Sequence, residues 1–203
     1  MEEGRRRLIL SLISVFVFIL ILILIILGKT SIDYSISNSI MKIWSQQINW
    51  FFIFLGNYAL EMMIIIAIAV SASLYLKKKK VQSLSLISCL GAGYIFEKII
   101  KLSVQRSRPS IQLLQETGYS FPSAHAMFSM ILFSLIIYFY KDEIKNNARR
   151  IAFIAAGVIL ILLAGFSRIY LDVHWFTDVV GGYALGFFLV NLSLLFFKNK
   201  KIN

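Results

Sequence analysis

Residues 8–27 read LILSLISVFVFILILILIIL, twenty positions without one charged side chain. A helix needs roughly 20 apolar residues to cross the hydrocarbon core of a bilayer, so this stretch is long enough to span it. Arg5, Arg6 and Arg7 precede it, as a basic region precedes a secretory signal. The apolar run is longer than a signal core, however, and no small-residue cleavage site follows, so it reads as a retained first span. Comparable runs cover 59–76, 81–100, 124–140, 151–167 and 178–197. The expected fold is all-α: a polytopic membrane protein with six transmembrane helices, forming a single membrane-embedded domain over residues 1–203. The segment 40–55 is apolar too, but Lys42, Ser45, Gln46, Gln47 and Trp50 interrupt it, a pattern that suits a helix lying in the interface.

Composition points the same way. The chain of 203 residues is 59% hydrophobic with a mean hydropathy of +0.78, whereas a soluble domain is about half apolar. The 17 Phe and the Ile/Leu runs argue against disorder, collagen or coiled coil. A net charge of +11 suggests nucleic acid until the charges are placed. Fourteen of the 21 basic residues fall in four clusters: Arg5 to Arg7; Lys77 to Lys80; Lys141, Lys145, Arg149 and Arg150; and Lys198, Lys200 and Lys201. Six spans put these clusters on one side, which the positive-inside rule makes cytoplasmic, together with both termini. The segments 28–58, 101–123 and 168–177 then face outward. No nucleic-acid partner is implied; membrane lipids are. The single cysteine, Cys89, lies in an apolar run, where packing is its expected role.

The outward segments 101–123 and 168–177, with the first residues of the span after each, hold the chemistry. Both histidines, His125 and His174, and both prolines, Pro109 and Pro122, occur there. Lys101 sits at the outer end of the third span, and Pro109 marks where helix is not expected to continue, so Arg108 can turn back toward Lys101. Pro122-Ser123 before an apolar run is a helix start with Ser123 as N-cap. That leaves the N–H groups of Ala124 and His125 at the positive end of a helix dipole, a ready anion site. With Arg168 from the other loop, three fixed cations, a hydroxyl and several N–H groups gather. A phosphomonoester suits such a cradle. His174 and Asp178 stand four apart, hence on one helix face; a carboxylate bonded to Nδ1 would fix the tautomer and free Nε2 as nucleophile or base. His125 is then available as the complementary acid.

The three segments K-x6-RP, PSxH and SR-x5-H-x3-D resemble the signature of the type-2 phosphatidic acid phosphatase superfamily, integral-membrane lipid phosphatases related to the vanadium haloperoxidases. The resemblance spans roughly 95–190. It implies that His174 attacks phosphorus to form a phosphohistidine, that Asp178 holds its ring, and that His125 protonates the leaving lipid oxygen before water hydrolyses the intermediate. It implies further that Lys101, Arg108, Ser123 and Arg168, with the N–H of Ala124, hold the phosphate oxygens. No metal or other cofactor is expected. The family's usual residue at position 124 is Gly, and Ala124 would be strained there only at a positive φ. The implied partner is a lipid phosphate or diphosphate, with undecaprenyl diphosphate and phosphatidylglycerol phosphate foremost. A lipid phosphotransferase and a non-catalytic lipid-phosphate binding or transport protein are the rival readings.

Other residues carry plainer expectations. Arg106 reads as a snorkelling or rim cation, Glu61 as an acid in the first turn of the second span, and Asp172 as an exposed loop carboxylate. Glu97 either pairs with Lys101 one turn on or is a solvated end-of-span charge. Gly182 and Gly186, and more loosely Gly91 and Gly93, read as sites of close helix packing. Tyr119, Tyr170, Trp175 and Phe176 are expected at the outer interface.

Overall fold

The structure, a computed structural model, describes residues 2–197. Among them the regular elements are helices: α1 (Glu2–Ile26), α2 (Ser31–Met41), α3 (Gln46–Leu76), α4 (Lys80–Val104), α5 (Ala124–Tyr140), α6 (Asn147–Tyr170) and α7 (Phe176–Phe197), with one 3-10 turn at Lys141–Glu143. Six, all but α2, are long and apolar enough to cross a membrane, and they coincide with the six expected runs. Lys198, Lys200 and Lys201 lie outside the described residues.

The segment 40–55 departs from expectation. It is not one interfacial helix: α2 ends at Met41, and α3 begins at Gln46 after the extended Ser45. The polar positions Lys42 and Ser45 mark a break between two helices rather than the wet face of one. Glu61 therefore sits in the middle of α3, not in its first turn.

Lipid tails are as apolar as leucine, so close packing rather than expulsion from water holds such a bundle together. Met127, Ile131, Leu132 and Leu135 of α5 interlock with Leu185, Leu189, Val190 and Leu194 of α7, with Leu86 and Cys89 of α4 alongside. Glycine makes the approach possible. A Cβ on Gly182 would lie 2.6 Å from the Ser123 carbonyl oxygen, and one on Gly186 2.7 Å from that of Met127. Gly93 packs likewise against Ile131 of α5, but Gly91 faces open space and plays no packing part.

The bundle has two chemically different ends. At one, Arg7 stacks over Tyr138 at 4.5 Å, Lys77 lies 5.4 Å from the Tyr140 ring, and Lys79 pairs with Glu143. The N-terminus and the α3–α4 and α5–α6 joins meet there. The opposite end gathers α2, the loop 105–123 and the turn 171–175, stitched together by the Leu113 N–H to Leu171 carbonyl bond and by Ser37 to Asp172.

Candidate active site

Four short-range features bring the site residues together. Helix α4 stops at Val104 because Gln105 takes the left-handed conformation (φ 51) while its N–H still bonds to the Lys101 carbonyl. The stop comes before Pro109, which only keeps the chain from resuming a helix. The turn sends Arg106 and Arg108 back over the bundle end. At the start of α5, Ser123 is extended and is the N-cap residue. Its N–H bonds to the Asp178 carbonyl at 3.1 Å, which ties the α5 terminus to α7. Ala124 and His125 are the first two helical residues, whose N–H groups have no carbonyl one turn back. Ala124 is not among the residues at positive φ, so the alanine is unstrained. The last turn of α6 presents Arg168, and His174 sits in the turn before α7.

Lys101, Arg108, Ala124, His125 and His174 line one cavity of about 400 Å³, together with Glu61, Glu97 and Glu116. Ser123, Arg168 and Asp178 are fully buried and do not line it. The Nε2 of His174 is 3.1 Å from Nη1 of Arg108, whose same nitrogen donates to the Val173 carbonyl at 2.7 Å. Two donors cannot face one another, so that contact assigns the lone pair to Nε2 and the proton to Nδ1. Nδ1 lies 3.4 Å from Oδ2 of Asp178 without a formed hydrogen bond. Burial, then the charges of Arg108, Arg168 and Lys101, hold the His174 ring well below its usual value, and the Ser120 backbone opposes them in part. The ring is therefore neutral near pH 7. Burial also lowers Arg108 from its usual value, with Glu116 and Asp178 opposing.

The buried side-chain polar atoms that lack a partner among the described residues are Ser11 Oγ, Ser123 Oγ, His125 Nε2, Arg168 Nε and His174 Nδ1. All but the first belong to the expected site. Buried polar groups are nearly always paired, because an unpaired one costs about 1–3 kcal/mol. Two of these unpaired groups belong to His125 and His174, which line the cavity, and that marks it as a place for a polar ligand.

Besides Glu61 and Gly91, sequence reading misplaced Arg106 and Asp172 and overlooked two residues. Arg106 is not a rim cation: it bridges Asp33 (2.6 Å) and Asp178 (2.5 Å). Asp172 is not exposed. It is buried, adopts φ 52 and accepts a 2.6 Å bond from Ser37, and burial raises it against the lowering effects of Ser37 and the Ile111 backbone. Tyr170, at the end of α6, is buried against protein and stacked on Phe52 at 4.3 Å. Glu97 does pair with Lys101, at 2.7 Å. The overlooked residues are Asp33 and Glu116, the latter paired with Arg168 and 3.3 Å from Arg108. Their sequence signal was scarcity: each is the only carboxylate in a cation-bearing outward segment, 28–58 and 101–123.

A second cavity, about 720 Å³, runs between α3, α4 and α5, lined by apolar groups such as Met63, Ala67 and Ile87. It shares Leu60, Tyr94 and Phe128 with the first. An apolar groove thus adjoins the charged site across these three side chains.

Comparison with known proteins follows the same lines. The family model described as the PAP2 superfamily matches residues 82–202. Phosphatidylglycerophosphatase B of Bacillus subtilis is 32% identical over 169 residues, 79% of this chain and 82% of that protein. The undecaprenyl-diphosphatase of Sulfolobus acidocaldarius is 26% identical over 193 residues, 90% of this chain and 88% of the other. The crystal structure of a transmembrane PAP2-type phosphatidylglycerolphosphate phosphatase from Bacillus subtilis superposes with a TM-score of 0.77 at 28% identity, covering 93% of this chain and 97% of that one.

Proposed function

The chain belongs to the PAP2 superfamily, and on that premise we propose that it is a membrane lipid phosphatase working through a phosphohistidine on His174. The observation that carries the lipid part is that the two cavities adjoin, with Leu60, Tyr94 and Phe128 lining both. A headgroup phosphate rests against Lys101, Arg108 and the α5 N–H groups and reaches the buried Ser123 and Arg168 by displacing Glu116, while a hydrocarbon chain follows the groove between α3 and α4. Phosphatidylglycerol phosphate and undecaprenyl diphosphate, named in the relatives, are the headgroups proposed.

The steps follow from the donors. Nε2 of His174 attacks phosphorus; an N–P bond forms and the P–O bond to the lipid breaks, its electrons leaving with the lipid oxygen. His125 gives that oxygen a proton. Water then attacks the phosphohistidine, the P–N bond breaks, and His125 recovers a proton from the water as phosphate leaves. Arg108, released from its contact with Nε2 as the lone pair is used, turns its donors to the phosphoryl oxygens, where charge develops. Each step is complete without a metal.

The whole chain acts as one unit, and the site faces the extracytoplasmic side, because the basic joins at the other end prefer the cytoplasm. A cysteine at the exposed Ser110 position, in a Cys89→Ala background, should react with an impermeant reagent from outside; reaction only from inside reverses the orientation. The activity test is phosphate release by purified protein in the presence of chelator. Undecaprenyl diphosphate, phosphatidylglycerol phosphate, phosphatidic acid and a soluble phosphomonoester are compared, with His174→Ala as blank. Release from a lipid, lost in the variant, with label trapped on His174, is the expected result. Headgroup binding that survives in His174→Ala, with no release by either protein, means a binding or transport protein instead.

A further inference from the structure

We propose that Asp33, on the short helix α2 outside every motif, is a positioning residue for the reaction: through Arg106 it sets the orientation of Asp178 and the net charge behind His174. The proposal rests on the phosphatase reading above.

Asp33 is 1% exposed although it lies in a helix of only 11 residues, too short to span a membrane. Its Oδ1 accepts from the Thr177 backbone N–H at 2.9 Å, so it caps α7 from another element. Its Oδ2 accepts from the Thr177 hydroxyl at 2.8 Å and from Nη2 of Arg106 at 2.6 Å. The other arm of Arg106, Nη1, donates to Asp178 Oδ1 at 2.5 Å. The Asp178 Oδ2 takes the Trp175 N–H at 3.0 Å and is the oxygen turned toward His174. One guanidinium fork thus fixes which carboxylate oxygen serves the histidine.

The charges lead to the same assignment. Asp178 and Arg106 alone are neutral as a pair and would offer the histidine no net counter-charge when it becomes cationic on phosphorylation. With Asp33 the buried trio carries one net negative charge, matched to one imidazolium-like ring. Helix α2 also holds the other side of the turn, since Ser37 bonds Asp172 two residues before His174. A helix meant only to link two spans has no need of two buried polar bonds flanking the nucleophile.

His174 is faced by Arg108 from the 105–123 loop, Lys101 from α4, Arg168 from α6, His125 from α5 and Asp178 from α7. Removing one negative charge from this set leaves the cations less opposed. The test is Asp33→Asn in the purified full-length protein, which keeps the shape and removes the charge. Expected are a kcat lower by about 10- to 100-fold, the range carried by supporting partners of this kind, and a lipid KM changed by less than about threefold. The acid limb of kcat/KM should move to lower pH by about half a unit or more. Asp33→Glu, which keeps the charge, should keep the limb. A limb left in place in Asp33→Asn, with turnover falling only as folded protein falls, overturns the proposal and leaves Asp33 a structural cap. If Asp33→Asn yields no folded protein, Asp33→Glu decides: reduced kcat at unchanged KM supports the relay, and wild-type kcat overturns it. Wild-type protein that releases no phosphate would refute the phosphatase reading itself, before any variant is made.

Discussion

Glu116 is ion-paired with Arg168, a guanidinium with no solvent exposure, and its second oxygen lies 3.3 Å from Arg108. A carboxylate thus sits between two of the cations assigned to phosphate, so an incoming phosphoryl group has to take its place. Glu116→Gln should strengthen inhibition by inorganic phosphate by about threefold or more, because the resident anion no longer competes. The same change leaves Arg168 without its counter-charge, so Tm should fall, and added phosphate should restore it. Unchanged inhibition by phosphate would show that Glu116 swings clear for other reasons.

Nε2 of His174 and Nη1 of Arg108 meet at 3.1 Å, which makes the two residues differ in what their loss does. His174→Ala should lower turnover by about 10³-fold or more. Arg108→Lys keeps a charge but loses the fork that reaches Val173, His174 and Glu116 together. A loss of about 10- to 100-fold in kcat is expected. Retained turnover in Arg108→Lys would reduce the arginine to a simple counter-charge.

The pH dependence follows from the lowered His174. At pH above about 6.5 the ring is neutral in both folded and unfolded chain and adds nothing to stability. As pH falls through that value the unfolded ring takes up a proton and the buried one does not, so stability drops toward acid. Catalysis keeps its nucleophile over the same interval, and the acid limb of kcat/KM should lie below the ordinary histidine value. Lys101→Gln removes one of the cations holding the ring down and should shift the limb upward, opposite in sign to Asp33→Asn.

Spans, motifs and the bundle end bearing the site were legible in the sequence because each depends on local pattern: uninterrupted apolar length, Pro before a span, and four-residue spacing from His174 to Asp178. The partners of Arg106 and Arg168 were not. Asp33 lies 73 residues from Arg106 and Glu116 lies 52 from Arg168, and no periodicity links them. The split of segment 40–55 was hidden for another reason. Apolar content decides whether a stretch is wet or buried, whereas Ser45 and Lys42 decide where the chain turns. Asp172 looked exposed because a loop carboxylate usually is; its burial depends on Ser37 of a helix whose docking the sequence does not encode locally.

Close packing at the phosphate end is testable at Gly182. A methyl group there would meet the Ser123 carbonyl at 2.6 Å and the Met127 nitrogen at 3.3 Å, both backbone atoms of the α5 start. Backbone cannot rotate away as a side chain does, so Gly182→Ala has to push α7 off the helix terminus whose N–H groups are proposed to hold phosphate. Destabilisation by about 1–3 kcal/mol is expected, with a kcat loss that exceeds the loss of folded protein. Gly91→Ala, facing open space on α4, should show neither effect.

The groove separates lipid recognition from the chemistry. Ala67 lines the apolar cavity but not the charged one. Ala67→Trp fills part of a groove of about 720 Å³ without touching a group that meets phosphate. If a hydrocarbon chain lies there, kcat/KM for long-chain lipid phosphates should drop by about tenfold or more, since binding along the chain helps to place the headgroup. A short-chain soluble phosphomonoester bypasses the groove and should be turned over as by the unaltered protein. Equal losses on both substrates would mean that the substitution distorts the α3–α4–α5 packing. No loss on either would place the chain outside the groove, against the lipid-facing surface of the bundle, with only the headgroup enclosed.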